Sequence, residues 1–138
     1  MFNDLRAQTS VEFLVLTSFL FLAAGLLLIY SFNLVSDSIV FSMAEKTVNV
    51  LGSASDSVSI LSPQSQKIVS VELPEGVDSF SVEEKRVLIR LVRGEKTNDF
   101  WFATKNNLTP ESFSTERGIY YFKVVFGADG NVSVSEVS

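Results

Sequence analysis

The stretch RAQTSVEFLVLTSFLFLAAGLLLIYSF, residues 6–32, decides the architecture that we predict for this chain. Its apolar part is the 20 residues from Phe13 to Phe32. At about 1.5 Å per residue, a helix of that length matches a membrane hydrocarbon core of about 30 Å. We therefore expect a helix that can span a membrane. The polar members of the segment are Thr17, Ser18, Tyr30 and Ser31.

A cleaved secretory signal is the other common source of an apolar N-terminal stretch. Cleavage requires small residues after a short apolar core, and the candidate is Ala23-Ala24-Gly25. The sequence that follows, LLLIY at residues 26–30, is still apolar. We therefore expect the apolar segment to remain in the mature protein.

Beyond Phe32 the pattern becomes amphipathic, and no proline occurs before Pro63. This predicts one continuous helix over residues 8–56, apolar over 13–32 and amphipathic over 33–56. The amphipathic part should bury its apolar stripe against protein. The predicted stripe contains Val35, Ile39, Met43, Val50 and Ala54, and the opposite polar face contains Ser38, Ser42, Glu45, Asn49 and Ser53.

Residues 57–138 show the period-two alternation of β-strands. We place the boundary near residue 57 because Gly52 and the serine-rich stretch after it weaken a helix. Turn sequences such as Pro74-Glu75-Gly76 and Asp129-Gly130 separate the strands. The expected fold class is α+β, a long N-terminal helix with a small antiparallel β-sheet head of six or seven strands. The inward positions are Val69, Val71, Leu73, Val87, Ile89, Leu91, Tyr120, Phe122, Val124 and Phe126.

The composition argues against several classes of protein. The 138 residues contain no Cys and no His, which removes thiol nucleophiles, Ser-His-Asp triads, disulfides and the usual zinc sites. The acidic residues show no spacing typical of a metal site or an acid/base pair. Net charge is −5 and the basic residues are scattered, which is unfavourable for nucleic acid. We expect no catalytic site, no cofactor, no metal and no nucleic-acid partner.

Two further motifs lie in the predicted head. The aromatic run Asp99-Phe100-Trp101-Phe102 is either a packing element or an exposed recognition patch, and packing or contact between subunits is the more common use of such residues. The tripeptides Asn107-Leu108-Thr109 and Asn131-Val132-Ser133 fit the N-glycosylation pattern and fall in predicted turns. Asn107 and Asn131 are therefore candidate glycosylation sites, and Pro110 makes the first the poorer acceptor.

Glu12 is the only residue with a side-chain charge between Arg6 and Asp37. One interpretation is structural, because Thr9-Ser10-Val11-Glu12 fits a capping box in which Thr9 caps the helix and Glu12 reaches back to a free amide. A carboxylate in a first helical turn also suits the helix dipole. Capping does not explain the short, partly polar head of residues 1–7 before it.

The stretch from Ala7 to Phe13, followed by a long apolar helix, resembles the class III signal peptide of archaeal type IV pilins. In that family a membrane peptidase cuts before a glutamine that is followed by a serine two residues later and a glutamate four residues later. Gln8, Ser10 and Glu12 match these positions. The resemblance implies cleavage between Ala7 and Gln8 and removal of residues 1–7 as a leader.

The resemblance also implies a structural function. The chain would wait in the cytoplasmic membrane, be trimmed by a prepilin peptidase, and be polymerised with copies of itself by a pilus assembly machinery into an extracellular filament, of the kind that serves in adhesion. Glu12 would then pair with the amine released on Gln8, either of a neighbouring subunit or within one helix. Two alternatives remain: a single-pass membrane anchor that displays an extracellular binding domain, and an exported hydrolase or secretion component with a pilin-like stalk.

Overall fold

The computed structural model describes residues 2–137, and the side chains of residues 3–137. Met1 of the predicted leader and Ser138 of the predicted head lie outside the described residues. One helix is followed by seven strands. They are α1 (Phe2–Ile60), β1 (Gln66–Leu73), β2 (Val77–Glu83), β3 (Arg86–Arg93), β4 (Lys96–Ala103), β5 (Glu111–Ser112), β6 (Gly118–Phe126) and β7 (Val132–Val137).

The chain divides into two compact units, and α1 contributes to both. We call Met1–Ile39 the N-terminal unit and Val40–Ser138 the C-terminal unit. The described residues of the N-terminal unit are entirely helical. The C-terminal unit combines the last part of α1 with all seven strands. The predicted α+β class, a long helix with an antiparallel sheet head, is confirmed.

The strands form two antiparallel sheets rather than the single sheet that we expected. β1, β6 and β7 form a sheet of order β1-β6-β7, and the others form a sheet of order β4-β3-β2-β5. The Pro74-Glu75-Gly76 turn does not close a hairpin, because β1 pairs with β6 while β2 pairs with β3 and β5. The turn instead takes the chain from one sheet to the other. Two sheets enclose a helix more fully than the single face of one sheet could.

The core of the C-terminal unit lies between the two sheets and residues 40–60 of α1. Rings from the two sheets meet directly, since Phe80 of β2 and Phe122 of β6 have centroids 5.6 Å apart. Phe113 packs against both rings, at 5.2 and 4.9 Å. On the helix side, Phe41 and Phe100 have centroids 5.7 Å apart. One continuous cluster therefore includes residues from the helix and both sheets.

The helix stripe that enters this core is shifted from the one that we predicted. Val35 and Ile39 are exposed, and Met43 and Val50 are half-buried, whereas Ala54 is buried as expected. The predicted polar face is confirmed, because all five of its members are exposed. The small residues alanine and threonine contribute to the true stripe, which a search for large apolar side chains undervalues. The stripe contains Ala44, Thr47, Val48, Leu51, Ala54, Ser55 and Val58.

The helix continues to Ile60 rather than ending near residue 56. Gly52 does not weaken it, because this glycine is buried against the ring of Phe102: a Cβ there would lie 2.0 Å from Cδ1 of that ring. The hydroxyl of Ser55 donates to the carbonyl of Leu51 at 2.8 Å, within the helix. Packing against β4 therefore outweighs the low helix propensity of this stretch.

Candidate assembly segment

The apolar part of α1 in the N-terminal unit presents its large side chains on all sides. Exposed fractions range from 59% at Leu16 to 74% at Phe21. The helix is long and apolar enough to cross a membrane, and none of its most apolar 18-residue window is buried within the structure. A helix that is apolar all round needs lipid or other protein around it. This segment can therefore enter a bilayer or pack against helices of other chains.

The hydroxyl groups of this segment are satisfied by the helix itself. Thr17 Oγ1 donates to the carbonyl of Phe13 at 2.7 Å, and Ser18 Oγ donates to that of Leu14 at 2.8 Å. An unpaired hydroxyl group in hydrocarbon costs about 4–8 kcal/mol. These two side chains avoid that cost without help from a neighbour.

The predicted cleavage and assembly residues all lie within α1, which begins at Phe2 rather than near Gln8. Thr9 is an interior helical residue whose Oγ1 donates to the carbonyl of Leu5 at 2.6 Å. The capping-box interpretation is therefore wrong for the uncut chain. The bond between Ala7 and Gln8 is helical, so a peptidase that acts on extended chain would have to unwind the first two turns.

Glu12 remains available for an external partner. It is exposed, and it accepts a hydrogen bond from Nε2 of Gln8 at 3.5 Å, the outer limit for such a bond. Removal of residues 1–7 would place a new α-amine on Gln8, one helical turn from this carboxylate. The geometry therefore accommodates a Gln8–Glu12 pair within one helix and equally leaves Glu12 open to an amine on another copy.

The two candidate glycosylation sites are held side by side in the C-terminal unit. The amide of Val132 donates to the carbonyl of Asn107 at 2.9 Å, and the amide of Thr109 donates to the carbonyl of Val132 at 2.9 Å. Asn107 is exposed, whereas Asn131 is half-buried and its Nδ2 donates to Asp129 Oδ2 at 3.4 Å. Sequence reasoning gave no sign that the two motifs are neighbours.

The aromatic run of β4 divides between two faces of its strand. Phe100 and Phe102 are half-buried and pack against the core. Trp101, between them, points to the opposite face and is 60% exposed. Packing is thus confirmed for the two phenylalanines, and the tryptophan has a different environment that the sequence pattern did not separate from theirs.

Within residues 2–137, no group of three or more Asp or Glu side chains is arranged to hold a metal ion. One open groove on the C-terminal unit lies between α1 and β1, where polar helix residues such as Glu45 and Asn49 face Lys67. Comparison with known proteins gives no match to a family model, to a curated protein or to a solved structure.

Proposed function

We propose that this chain is a pilin, a structural subunit of an archaeal type IV-like surface filament that serves in adhesion. The observation that carries the proposal is the lipid-length helix with large apolar side chains exposed on every side and one carboxylate near its start. The resemblance of the Gln-x-Ser-x-Glu pattern at residues 8–12 to the pilin cleavage motif supports the choice of family. Before assembly the apolar helix resides in the cytoplasmic membrane. After removal of residues 1–7 it packs with the helices of other copies.

The role of Glu12 follows from the cost of burying a charge. Arg6 leaves with the leader, and the amine on Gln8 then becomes the only cation among residues 8–36. A carboxylate drawn into an apolar interior is tolerated when it is paired. The amine is positively charged at neutral pH. Pairing of Glu12 with the Gln8 amine of a neighbouring subunit favours the register that brings these two groups together. A pair within one helix would neutralise the charges without selecting a register.

The first test is the intact mass of the protein taken from the surface of cells that carry the assembly machinery. Cleavage between Ala7 and Gln8 leaves 131 of the 138 residues, since seven are removed. Electron microscopy of sheared surface material should show filaments that contain the trimmed chain. The alternative, a single-pass anchor that displays a binding domain, gives an uncut chain and detergent-soluble monomers, and that result would exclude the pilin assignment.

The second test replaces the carboxylate without changing its shape. Glu12→Gln should be cut normally but yield few or no filaments, because the amine of Gln8 loses its partner. Glu45→Gln is a matched control, since Glu45 is also an exposed glutamate of α1 but lies in the C-terminal unit. Filaments from Glu12→Gln at the wild-type level would show that the pairing role is wrong.

We also propose that the chain is glycosylated, and the surroundings of the two asparagines indicate which one accepts a glycan more easily. Because Asn107 is exposed and Asn131 is half-buried with its amide directed to Asp129, a glycan on Asn107 requires less rearrangement. Peptide mapping of the surface protein should find sugar on Asn107 first. A glycan on Asn131 and none on Asn107 would contradict this ranking. That result would show that Pro110, which makes Asn107 the poorer acceptor, outweighs exposure.

A further inference from the structure

An exposed tryptophan lies within the outer face of the four-stranded sheet. Cross-strand partners share a face, so Trp101 lies beside Leu88, and the next pair along the same face is Arg90 with Asp99. On the other side of Leu88, Arg86 is paired with Glu83 of β2. We call these residues the Trp101 platform. It comprises Glu83, Arg86, Leu88, Arg90, Asp99 and Trp101.

The centre of the platform is apolar and supported from below. Leu88 faces outward from the central strand β3, yet it is only 9% exposed, so its neighbours on this face cover it. Trp101, its partner across the strands, is 60% exposed. A tryptophan in this position presents a large flat ring, whose face can stack against an apolar ligand surface.

The rim of the platform contains two exposed ion pairs. Nε and Nη2 of Arg90 donate to the two carboxylate oxygens of Asp99 at 2.8 and 3.0 Å. This hydrogen bonding lowers the pKa of Asp99 and raises that of Arg90. Arg86 donates a single hydrogen bond, from Nε to Oε2 of Glu83. Each guanidinium retains further N–H donors and each carboxylate retains free lone pairs, so the rim can bind hydroxyl groups that both donate and accept.

The charges directly beside the tryptophan balance, although the whole chain has a net charge of −5. Glu83 and Glu84 are matched there by Lys85 and Arg86. Farther along the face, Arg90 interacts with two carboxylates, Asp99 and Asp78. The immediate surroundings of Trp101 therefore suit a neutral ligand. Protein interfaces are enriched in Trp and Arg but depleted of Lys, Asp and Glu, so contact with a second copy is the competing outcome that the filament measurement tests.

We propose that the Trp101 platform binds a neutral hexose unit of a polysaccharide. A hexose has a flat face of C–H groups that suits the electron-rich face of an indole, and a rim of hydroxyl groups that suits guanidinium and carboxylate partners. The sugar stacks on Trp101 while its hydroxyls hydrogen-bond to Arg90, Asp99 and Arg86. The binding itself rests on the C-terminal unit, and only its use in adhesion rests on the proposed filament.

The test uses the full chain in a detergent without a sugar headgroup. The probes are linear hexamers of β-1,4-glucose, α-1,4-glucose, β-1,4-mannose and β-1,4-N-acetylglucosamine. Trp101 is the only tryptophan, so its emission reports on the platform directly. At least one hexamer should shift that emission and protect it from acrylamide, with a dissociation constant of about 1 mM or tighter. No response to any of the four would overturn the proposal.

Variants measured by calorimetry separate stacking from general effects. Trp101→Ala should weaken binding about tenfold or more, a loss of about 1.4 kcal/mol. Trp101→Tyr keeps a flat ring and should retain most of it. Tyr121→Ala is the matched control, because Tyr121 is an exposed aromatic residue, 53%, on the other sheet. Equal affinities for wild type and Trp101→Ala would also overturn the proposal.

A measurement on assembled filaments distinguishes sugar binding by the platform from contact between copies. If assembly without sugar protects Trp101 from acrylamide, the platform is a contact between copies and the sugar proposal is wrong. Because the titration uses unassembled protein, sugar binding without filaments contradicts only the proposed pilin function. Filaments without sugar binding contradict only the platform.

Discussion

The two parts of α1 carry their apolar residues in different ways. In the N-terminal unit, large leucine and phenylalanine side chains surround the helix and are more than half exposed. In the C-terminal unit, a single stripe of smaller residues such as Ala44, Val48 and Ala54 is buried to 2% exposure or less. In the C-terminal unit, the apolar side chains of the helix are therefore covered by other residues of the same chain. In the N-terminal unit, the described residues do not cover them.

This difference shows where each part finds its stability. A stripe of small residues allows sheets to approach the helix closely, and the core of the C-terminal unit is then complete without another molecule. The N-terminal unit has no such sheet among its described residues, and a helix that is apolar all round is stabilised by lipid or by other protein around it. Substitutions in the two parts should therefore affect different measurements.

The largest effect is expected from a charge in the exposed part. Leu20→Asp places a carboxylate in the middle of the lipid-length segment, where insertion costs about 2.5–3.5 kcal/mol. Filaments should be abolished, because neighbouring helices would have to bury the same charge in every subunit. Electron microscopy of surface material measures the loss of filaments, and Leu27→Asp should have the same effect.

The urea midpoint of the C-terminal unit, measured on the full chain in detergent, should not change. Normal filaments from either variant would contradict the different roles of the two parts.

A smaller effect, on a different measurement, is expected from a truncation in the packed part. Leu51 is fully buried, and Leu51→Ala should lower the free energy of unfolding by about 2–5 kcal/mol through lost burial and a cavity. Near-ultraviolet circular dichroism during urea denaturation measures it. Leu28→Ala is the matched control, because Leu28 is 61% exposed on the same helix. Equal losses from both leucines would show that the two parts do not differ.

Substitution of the two glycines of α1 compares the two parts of the helix again, with a smaller expected change in the free energy of unfolding. A Cβ on Gly52 would meet the ring of Phe102, so Gly52→Ala should destabilise by about 1–3 kcal/mol, less the gain of about 0.5–1 kcal/mol in helix propensity. A Cβ on Gly25 meets nothing within 4 Å, so Gly25→Ala should leave the C-terminal unit unchanged. Urea midpoints of the two variants decide this. A stabilising Gly52→Ala would mean that the ring moves aside freely.

The smallest effect concerns pH and the outer surface of the packed part. The hydrogen bond from Arg90 lowers the pKa of Asp99, so the unfolded chain binds a proton at higher pH than the folded chain does. The stabilising contribution is present above the ordinary carboxylate pKa of about 4 and is lost as the pH falls through the lowered value. Because both side chains are exposed, it is small and screened by salt. Between pH 5 and pH 2, the urea midpoint of Asp99→Asn should fall slightly less than that of the wild type. Parallel losses in the two proteins would contradict the role of this pair.

The helices and strands of this fold could be predicted where the sequence showed one clear hydrophobic pattern. The inward residues of β6, such as Phe122 and Val124, follow a strict alternation and are buried as expected. The long apolar run identified the helix for the same reason. The single sheet was not correct, since no local pattern shows that β1 pairs with β6, about 50 residues later, rather than with β2.

The ends of the helix and its buried face depended on contacts that are distant in sequence. Gly52 was interpreted as a weak point, but a ring from β4 fills the space that its missing side chain leaves. Thr9 was interpreted as a cap, but the helix starts earlier and Thr9 bonds to Leu5. For the candidate sites, the sequence identified Glu12 and the two asparagines. It could not show that Asn107 and Asn131 adjoin.

The hydroxyl groups of Thr17 and Ser18 have a consequence for how a subunit changes its surroundings. Both are bonded to carbonyls one turn back in their own helix. When such a helix passes from lipid into a bundle of its own kind, the hydrogen bonds of these two hydroxyl groups do not have to be exchanged. These two groups therefore add no hydrogen-bond barrier to the passage in either direction. Under the proposed pilin function, a subunit that left a filament would re-enter the bilayer with both bonds intact.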